Sequence, residues 1–357
     1  MTGAPRRSVL ELAEESGLRS LVMGASKDPN AKITVLLVEP DTGRPVLAAK
    51  VPTTDVAAEA VESERRLLLA LEARRTEPAE TIPRVVETID FHGRPGLVTT
   101  AVEGVPMSTA YLRWRTTATR SHVNAHFAAV ERWLARFQAL TARATGSPQV
   151  NVGVSARLAG RFDGEPGLAE LLDRLDEIHG RLGEAGMPRT AVHGDLWCGN
   201  VLLSDGRVSG VVDWEAGAAD GEPVRDLVRF AHMYALFLDR RTVPGRRVAG
   251  HRALRAGDWG AGVRYALEGT GWFPELFRAF LKGGLARLGA PPRCWHDAAL
   301  AGIAEVAAFG DDVGFAHLHL DLLRRVTRAR AAVVRIERKQ AHWTRCRTAV
   351  RPGGESQ

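Results

Sequence analysis

Hydrophobic and polar positions divide the chain into a strand-rich first part and a helix-rich remainder. Residues 8–19 set Leu10, Leu12 and Leu18 among acids, the pattern of a short amphipathic helix. The stretch 21–24 opens a strand, residues 25–31 form a loop, and 33–38 and 45–51 read as strands around the turn 40–43. A helix is predicted over 55–75, capped by Asp55, with Val61, Leu67, Leu68 and Leu71 on its buried side. Strands 85–91 and 96–101 flank the turn 92–95, and Gly104-Val105-Pro106 then breaks the pattern. Helical spacing predominates afterwards. Residues 121–141, with Ser121 as cap, place Val123, Phe127, Val130, Trp133, Leu134, Phe137 and Leu140 on one face, which reads as core packing. Residues 143–165 are rich in Gly, Pro and Ser and read as loop. A helix over 166–183 ends at Gly183 and Gly186, and Pro188 prevents it resuming. Two short apolar strands, 201–203 and 208–212, flank the hairpin turn Ser204-Asp205-Gly206. A loop at 216–221 follows, then helices over 224–239, 258–268, 273–288, 296–310 and 313–341. Runs of strands followed by runs of helices define an α+β class.

Composition narrows the function classes. The 357 residues are 45% apolar and 25% charged, as in a globular chain with a real core. No apolar run is long enough to span a bilayer. Arg6 and Arg7 lead into Glu11, Glu14 and Glu15 without a signal-peptide core, so a cytoplasmic location is expected. Cys198, Cys294 and Cys346 lack metal-type spacing and read as free thiols. The net charge of +6 is terminal: ten Arg and Lys fall within 324–351 beside the single acid Glu337. The rest of the chain is slightly acidic. No aromatic platform or DNA-binding motif accompanies the basic tail, so nucleic acid is not an expected partner.

The candidate chemistry lies between His193 and Glu215. Asp195 and Asn200 are five residues apart, in a segment that Gly194 and Gly199 keep from being a plain helix. The 201–212 hairpin folds Asp213 back toward them. Three oxygen-bearing side chains at one end of a hairpin suit a hard cation such as Mg²⁺. The order Asp, four residues, Asn, then a strand-borne Asp is also that of a kinase catalytic loop and its metal-binding Asp.

With His193-Gly194-Asp195, Asn200 and Val212-Asp213-Trp214-Glu215, the chain resembles the aminoglycoside phosphotransferase family of small-molecule kinases, over about residues 20–235. The resemblance implies a two-lobed protein-kinase-like fold: a small β-rich N-lobe, 1–104, that binds nucleotide, and a larger helical C-lobe, 105–357, with the catalytic loop, the acceptor pocket and the basic tail. It implies an enzyme, a kinase that uses Mg²⁺ and ATP or GTP. Asp195 would orient the acceptor hydroxyl and take its proton, and Asn200 and Asp213 would ligate the metal. Lys50, one of five lysines in the chain, would meet the α/β-phosphates; the alternative is an edge-strand Lys facing solvent. Glu64 best fits its helix partner, with Glu62 as the other candidate. Backbone around Ser26 would lie over the phosphates. Thr100, Ala101 and Val102, in the hinge, would meet the base edge. His193 reads as a buried brace and Asp226 as a support for the catalytic loop. Glu222 stands before Pro223 where the family usually has Asp. Glu215 could touch metal or acceptor, or cap the following loop. Trp197 and Trp214 read as packing, although Trp197 could border the acceptor. Cys198 has no evident His–Asn partner set for a nucleophile role.

The implied acceptor is a hydroxylated small molecule, first an aminoglycoside-like or other antibiotic or amino sugar, in resistance or self-protection. Asp220, Glu222, Asp239, Asp311 and Asp312 could line a pocket for such a cation or form a solvated face. The alternatives are a metabolic kinase of a sugar or amino alcohol and, from another class, a nucleotide-binding pseudokinase with a regulatory role. The joint presence of Lys50, Asp195, Asn200 and Asp213 speaks against the last.

Overall fold

The alternation read in strand 33–38 builds the first half of the molecule. A computed structural model describes residues 7–25, 30–74, 79–143 and 153–328. Helix α1 (Val9–Glu15) is followed by strands β1 (Arg19–Ala25), β2 (Lys32–Val38) and β3 (Pro45–Pro52), helix α2 (Asp55–Ala73), and strands β4 (Val85–Phe91) and β5 (Arg94–Thr100). The five strands form one antiparallel sheet in the order β1-β2-β3-β5-β4. Val35 and Leu37 of β2 and Ala49 and Val51 of β3 share one small core with Leu12 and Ala13 of α1. Successive side chains of a strand point to opposite faces, so Lys50 emerges on the other side, toward α2. There α2 sets Val61, Leu67, Leu68 and Leu71 in the larger core beside Leu97 of β5.

The second half is helical. Strand β6 (Val105–Pro106) leads into the short helix α3 (Met107–Tyr111) and then α4 (Arg120–Thr141), α5 (Val154–Arg161) and α6 (Leu168–Gly183). Strands β7 (Thr190–Val192), β8 (Val201–Ser204), β9 (Arg207–Val211) and β10 (Ala218–Gly221) carry the central loop. Helices α7 (Val224–Leu236), α8 (Ala261–Glu268), α9 (Trp272–Arg287) and α10 (Trp295–Phe309) complete it, with a last helical stretch from 313 to 328. This is the two-lobed, kinase-like α+β fold. No helix among the described residues is long and apolar enough to cross a membrane.

Packing fixes α7 with particular force. Phe127 of α4 meets Phe230 and Tyr234 of α7 and Phe280 of α9 edge-on, with ring centroids 4.9 to 5.3 Å apart. Such pairs add roughly 0.5–1.5 kcal/mol each beyond area burial. The helix that will hold the central loop is therefore anchored on two sides.

Several expected elements differ. The cap of α2 is Thr54, whose hydroxyl accepts the Ala57 N–H at 3.1 Å, and not Asp55. Thr119, not Ser121, occupies the cap position of α4. The first helix ends at Glu15, before Gly17, whose φ is 65°. The expected loop 143–165 contains α5, because Val154 and Leu158, four residues apart, are both buried, and α5 packs on α10 and α6. Within the expected loop 216–221, β10 forms by pairing with β7, a strand too short to register as a pattern. Residues 329–357, and with them most of the basic tail and Cys346, lie outside the described residues.

Candidate active site

Two β-ladders and one helix shape the central loop. The Asp205-Gly206 turn has φ of 50° and 71°, the left-handed pair that a tight hairpin between β8 and β9 requires. Strand β7 delivers His193, which is wholly buried. Its Nε2 lies 2.9 Å from the Val212 carbonyl, so Nε2 carries the proton, and its Nδ1 accepts the Asp195 N–H at 3.2 Å. Asp226, near the start of α7, accepts the N–H groups of His193 at 2.7 Å and Gly194 at 2.8 Å. Burial pushes the Asp226 carboxyl above its usual range, against the pull of those bonds and of nearby positive charge. Gly194 has φ of 81°, and a Cβ there would strike the Ala216 carbonyl, so only glycine fits this approach.

Asp195 and Asn200 face each other across the loop. Asn200 Nδ2 donates to the Asp195 carbonyl at 3.0 Å and to Oδ2 at 3.3 Å. Among the described residues, the Asn200 amide oxygen has no hydrogen bond, which leaves it as a candidate ligand atom. Asp195 has a partner that the sequence reading missed. Nε and Nη2 of Arg229, on α7, both donate to Oδ1, at 2.9 and 2.6 Å. The signal was available: Arg229 lies three residues after Asp226, on the same helical face.

The sheet supplies two lysines. Lys50 Nζ lies 2.5 Å from Glu64 Oε2 and 2.5 Å from Asp213 Oδ1. Glu64 is 2% exposed, and its other oxygen accepts the Trp214 N–H at 3.1 Å. Glu62 instead pairs with Arg65. Burial alone would lower the Lys50 pKa; the Glu64 and Asp213 charges outweigh it and raise it. Burial likewise works against ionised Asp213, and the Lys50 and Lys32 ammoniums override it and hold this carboxyl low. Asp213 has φ of 72°, uncommon for a residue with a side chain and often found at functional sites. The second lysine, Lys32, is buried at the start of β2, 3.7 Å from Asp213 and ion-paired with Glu215. Asn30 Nδ2 also donates to Glu215, at 3.0 Å. Glu215 thus ties the central loop to the sheet.

The other expected residues are distributed as follows. Ser26 lies outside the described residues. The N–H groups of Thr100 and Ala101 are engaged with the carbonyls of Arg84 and Val46, at 2.9 and 2.8 Å, so these two donors are taken up within the fold. Val102 lies beyond the strand end and packs near Gly210. Trp214 is fully buried, with its indole N–H on the Val211 carbonyl. Trp197 packs toward Phe237, 6.2 Å between ring centroids. Cys198 and Cys294 are buried free thiols, and burial pushes the Cys198 thiol up to about 12, away from nucleophile chemistry.

A cleft of about 200 Å³ opens beside Asp195 between the loop, α7 and the end of α10. Its charged lining is Asp195, Asp213, Glu215, Arg225, Arg229, Glu305 and Asp311. Of the five acids that could line an acceptor pocket or form a solvated face, Asp311 alone lines this cleft. Asp220 pairs with Arg189 instead. Arg225 is ion-paired with Glu305, whose carboxyl burial holds above its usual range. Around Asp213, carboxylate oxygens of Glu64, Asp213 and Glu215 lie within 4.8 Å of one another. Asn200, whose backbone carbonyl accepts the Val212 N–H at 3.0 Å, would add an amide oxygen, and an all-oxygen set fits Mg²⁺ and not a soft metal.

The chain is similar to known phosphotransferases. The family model described as the phosphotransferase enzyme family matches residues 33–262. Similar solved structures include the macrolide 2'-phosphotransferase of Brachybacterium faecium, 17% identical, TM-score 0.49, covering 87% of this chain and 96% of that one. Another is the aminoglycoside phosphotransferase (3'')-Id of Streptomyces rimosus with ADP and streptomycin, 20% identical, TM-score 0.46, covering 82% and 97%. A third is an ethanolamine kinase of Plasmodium vivax, 12% identical, TM-score 0.46, covering 87% and 83%. No curated protein sequence matches the chain.

Proposed function

The chain belongs to the phosphotransferase enzyme family, and from that membership we propose that it moves the γ-phosphoryl group of ATP or GTP to a hydroxyl of a small molecule. The observation that carries the reading is the meeting of Lys50, Glu64 and Asp213 within 2.5 Å contacts, beside a cleft that also holds Asp195. Phosphoryl transfer asks for positioning and charge neutralisation more than for covalent help. Lys50 neutralises phosphate charge and Glu64 holds it in place. Asn200 and Asp213 would hold Mg²⁺, which supplies charge neutralisation on the phosphates. Val102, whose backbone lies beyond the sheet ladder, offers the hinge contact to the base. Asp195 orients the acceptor hydroxyl. The hydroxyl proton passes to Asp195, the acceptor oxygen bonds to Pγ, and the bond from Pγ to the bridging oxygen breaks with its electron pair leaving on ADP or GDP. His193 and Asp226 brace the loop.

The acceptor we propose is an amine-bearing alcohol, an aminoglycoside-like or other antibiotic or an amino sugar. Five carboxylates line the cleft; Asp195, Glu305, Asp213 and Glu215 are ion-paired with Arg229, Arg225, Lys50 and Lys32, which leaves Asp311 at the rim as the acid for an added cation. The size of the cleft supports a second reading. About 200 Å³ is below the usual range for drug-sized ligands, roughly 300–1,000 Å³, and suits a compact sugar or amino alcohol.

The test is ADP release from ATP, and GDP release from GTP, with Mg²⁺ across streptomycin, a macrolide, glucosamine and ethanolamine. Acceptor-dependent release, lost in Asp195→Ala and on chelating the metal, is expected. Nucleotide binding without transfer to any acceptor would favour the pseudokinase.

A further inference from the structure

Asp195 is gripped on one oxygen and left open on the other. Nε and Nη2 of Arg229 converge on Oδ1 at 2.9 and 2.6 Å. Among the described residues, Oδ2 has only the longer contact from Asn200, 3.3 Å. Charge-assisted bonds of this kind are about twice as strong as neutral ones, so Oδ1 is occupied and Oδ2 is the oxygen available to a hydroxyl. The side chains of Arg229 and Asp195 are 22% and 30% exposed, which sets them apart from a solvent-washed surface pair. Both line the cleft.

The support behind Arg229 is equally specific. It leaves α7 one turn after Asp226, which already holds the N–H groups of His193 and Gly194. One helix thus fixes both the backbone of the loop and the carboxylate it presents. That helix is itself fixed by the aromatic contacts of Phe230 and Tyr234 with Phe127.

We propose that Arg229 is a positioning residue for phosphoryl transfer, pinning Oδ1 of Asp195 so that Oδ2 faces the acceptor hydroxyl. The inference rests on the function proposed above. An unrestrained carboxylate turns about its last torsion and samples orientations that miss the hydroxyl. A guanidinium fork removes that freedom. A lysine supplies the charge without the fork.

The experiment uses the full chain with Mg²⁺ and ATP, with streptomycin, glucosamine and ethanolamine as acceptors and water as the default one. Wild type is compared with Arg229→Ala, Arg229→Lys and Asp195→Ala. Arg229→Ala is expected to lower kcat about 100-fold, the scale of an ångström-level misplacement. KM for ATP is expected to stay within about threefold, because the nucleotide site is left intact. Arg229→Lys should recover part of the loss. Added guanidinium ion should rescue Arg229→Ala by about tenfold or more and leave Asp195→Ala unchanged. Unchanged kcat in Arg229→Ala overturns the proposal. So does a loss shared equally by KM for ATP and melting temperature and insensitive to guanidinium, which marks a structural role. A wild type no faster than Asp195→Ala with every acceptor, water included, removes the kinase reading and this inference with it. An active wild type with an equally active Arg229→Ala removes the inference alone.

Discussion

Oδ1 of Asp213 lies 2.5 Å from Nζ of Lys50, although 163 positions separate them in sequence. This contact joins the third strand of the sheet to the end of the β8–β9 hairpin. Lys50→Met leaves Glu64, 2% exposed, without the ammonium that compensates it. Removing one partner of a buried pair costs about 3–5 kcal/mol. Lys32, 3.7 Å from Asp213, compensates that carboxylate but is not paired with Glu64. A clear fall in melting temperature is expected. A fall of about 100-fold or more in kcat/KM for ATP should accompany it, because the cation that meets the phosphates is gone. Thermal melts and coupled ADP release check both. Normal kcat/KM for ATP would remove Lys50 from the nucleotide site.

Asp226 accepts two buried backbone N–H groups with one carboxylate. Asp226→Ala strands both, at about 1–3 kcal/mol each. Asp226→Asn keeps one acceptor oxygen and turns an NH₂ toward the other donor, so it should lie between alanine and wild type in stability. Loss of kcat should exceed any rise in KM for nucleotide, because the displaced loop carries Asp195. Chemical denaturation and steady-state kinetics on the two variants test the order. Equal stability of Asp226→Ala and wild type would contradict the bracing role.

Gly194→Ala combines two costs. The backbone φ of 81° is left-handed, which costs a residue with a Cβ about 1–2 kcal/mol. The new methyl also meets the Ala216 carbonyl, a backbone atom that cannot swing aside. The loop next to Asp195 should shift, and kcat should fall by about tenfold or more even where the variant stays folded. Full activity in a folded Gly194→Ala chain would show that the approach of residue 216 is not needed for catalysis.

The sequence reveals the fold more fully than the site, for a physical reason. Strands such as β2 and β3 and long helices such as α4 declare themselves through burial, which repeats every two or three to four residues. The Asp205-Gly206 turn declares itself through its need for positive φ. Caps and short pieces depend on single bonds and tertiary pairing, which is why Thr54 displaced Asp55 and why β10 and α5 emerged only in three dimensions. In the site, Asp195, Asn200, Asp213, Lys50 and Glu64 could be named because their spacing matches a kinase order. That spacing leaves Lys32, Asn30 and Arg229 unnamed, because their roles arise from contacts across the molecule: Lys32 reaches Glu215 across 183 positions and Arg229 reaches Asp195 across 34. The scarcity of lysine did point to Lys50 and could equally have pointed to Lys32.

Buried histidines set the response of stability to mild acid. Burial is the largest influence holding His126 and His319 down to about 4, from an ordinary value of 6.5. His126 is bonded to the Tyr234 hydroxyl at 3.0 Å, and His319 Nε2 faces His232 Nε2 at 3.0 Å. In the unfolded chain both titrate near 6.5, so between 6.5 and 4 the unfolded state binds more protons. Stability is therefore undiminished by these groups above about pH 6.5 and falls as pH drops toward 4, by at most about 1.4 kcal/mol per pH unit for each histidine. Asp226 and Glu305, raised by burial, bind protons in the folded state first and reduce the net slope. Asp213 is held low and adds to the acid loss only at the lower end, where unfolded aspartates take up protons. Melting temperatures measured from pH 7.5 to 4.5 should fall with the steepest change below 6.5. His126→Asn and His319→Gln should each flatten that fall. A profile that keeps its slope in both variants assigns the acid sensitivity to other groups.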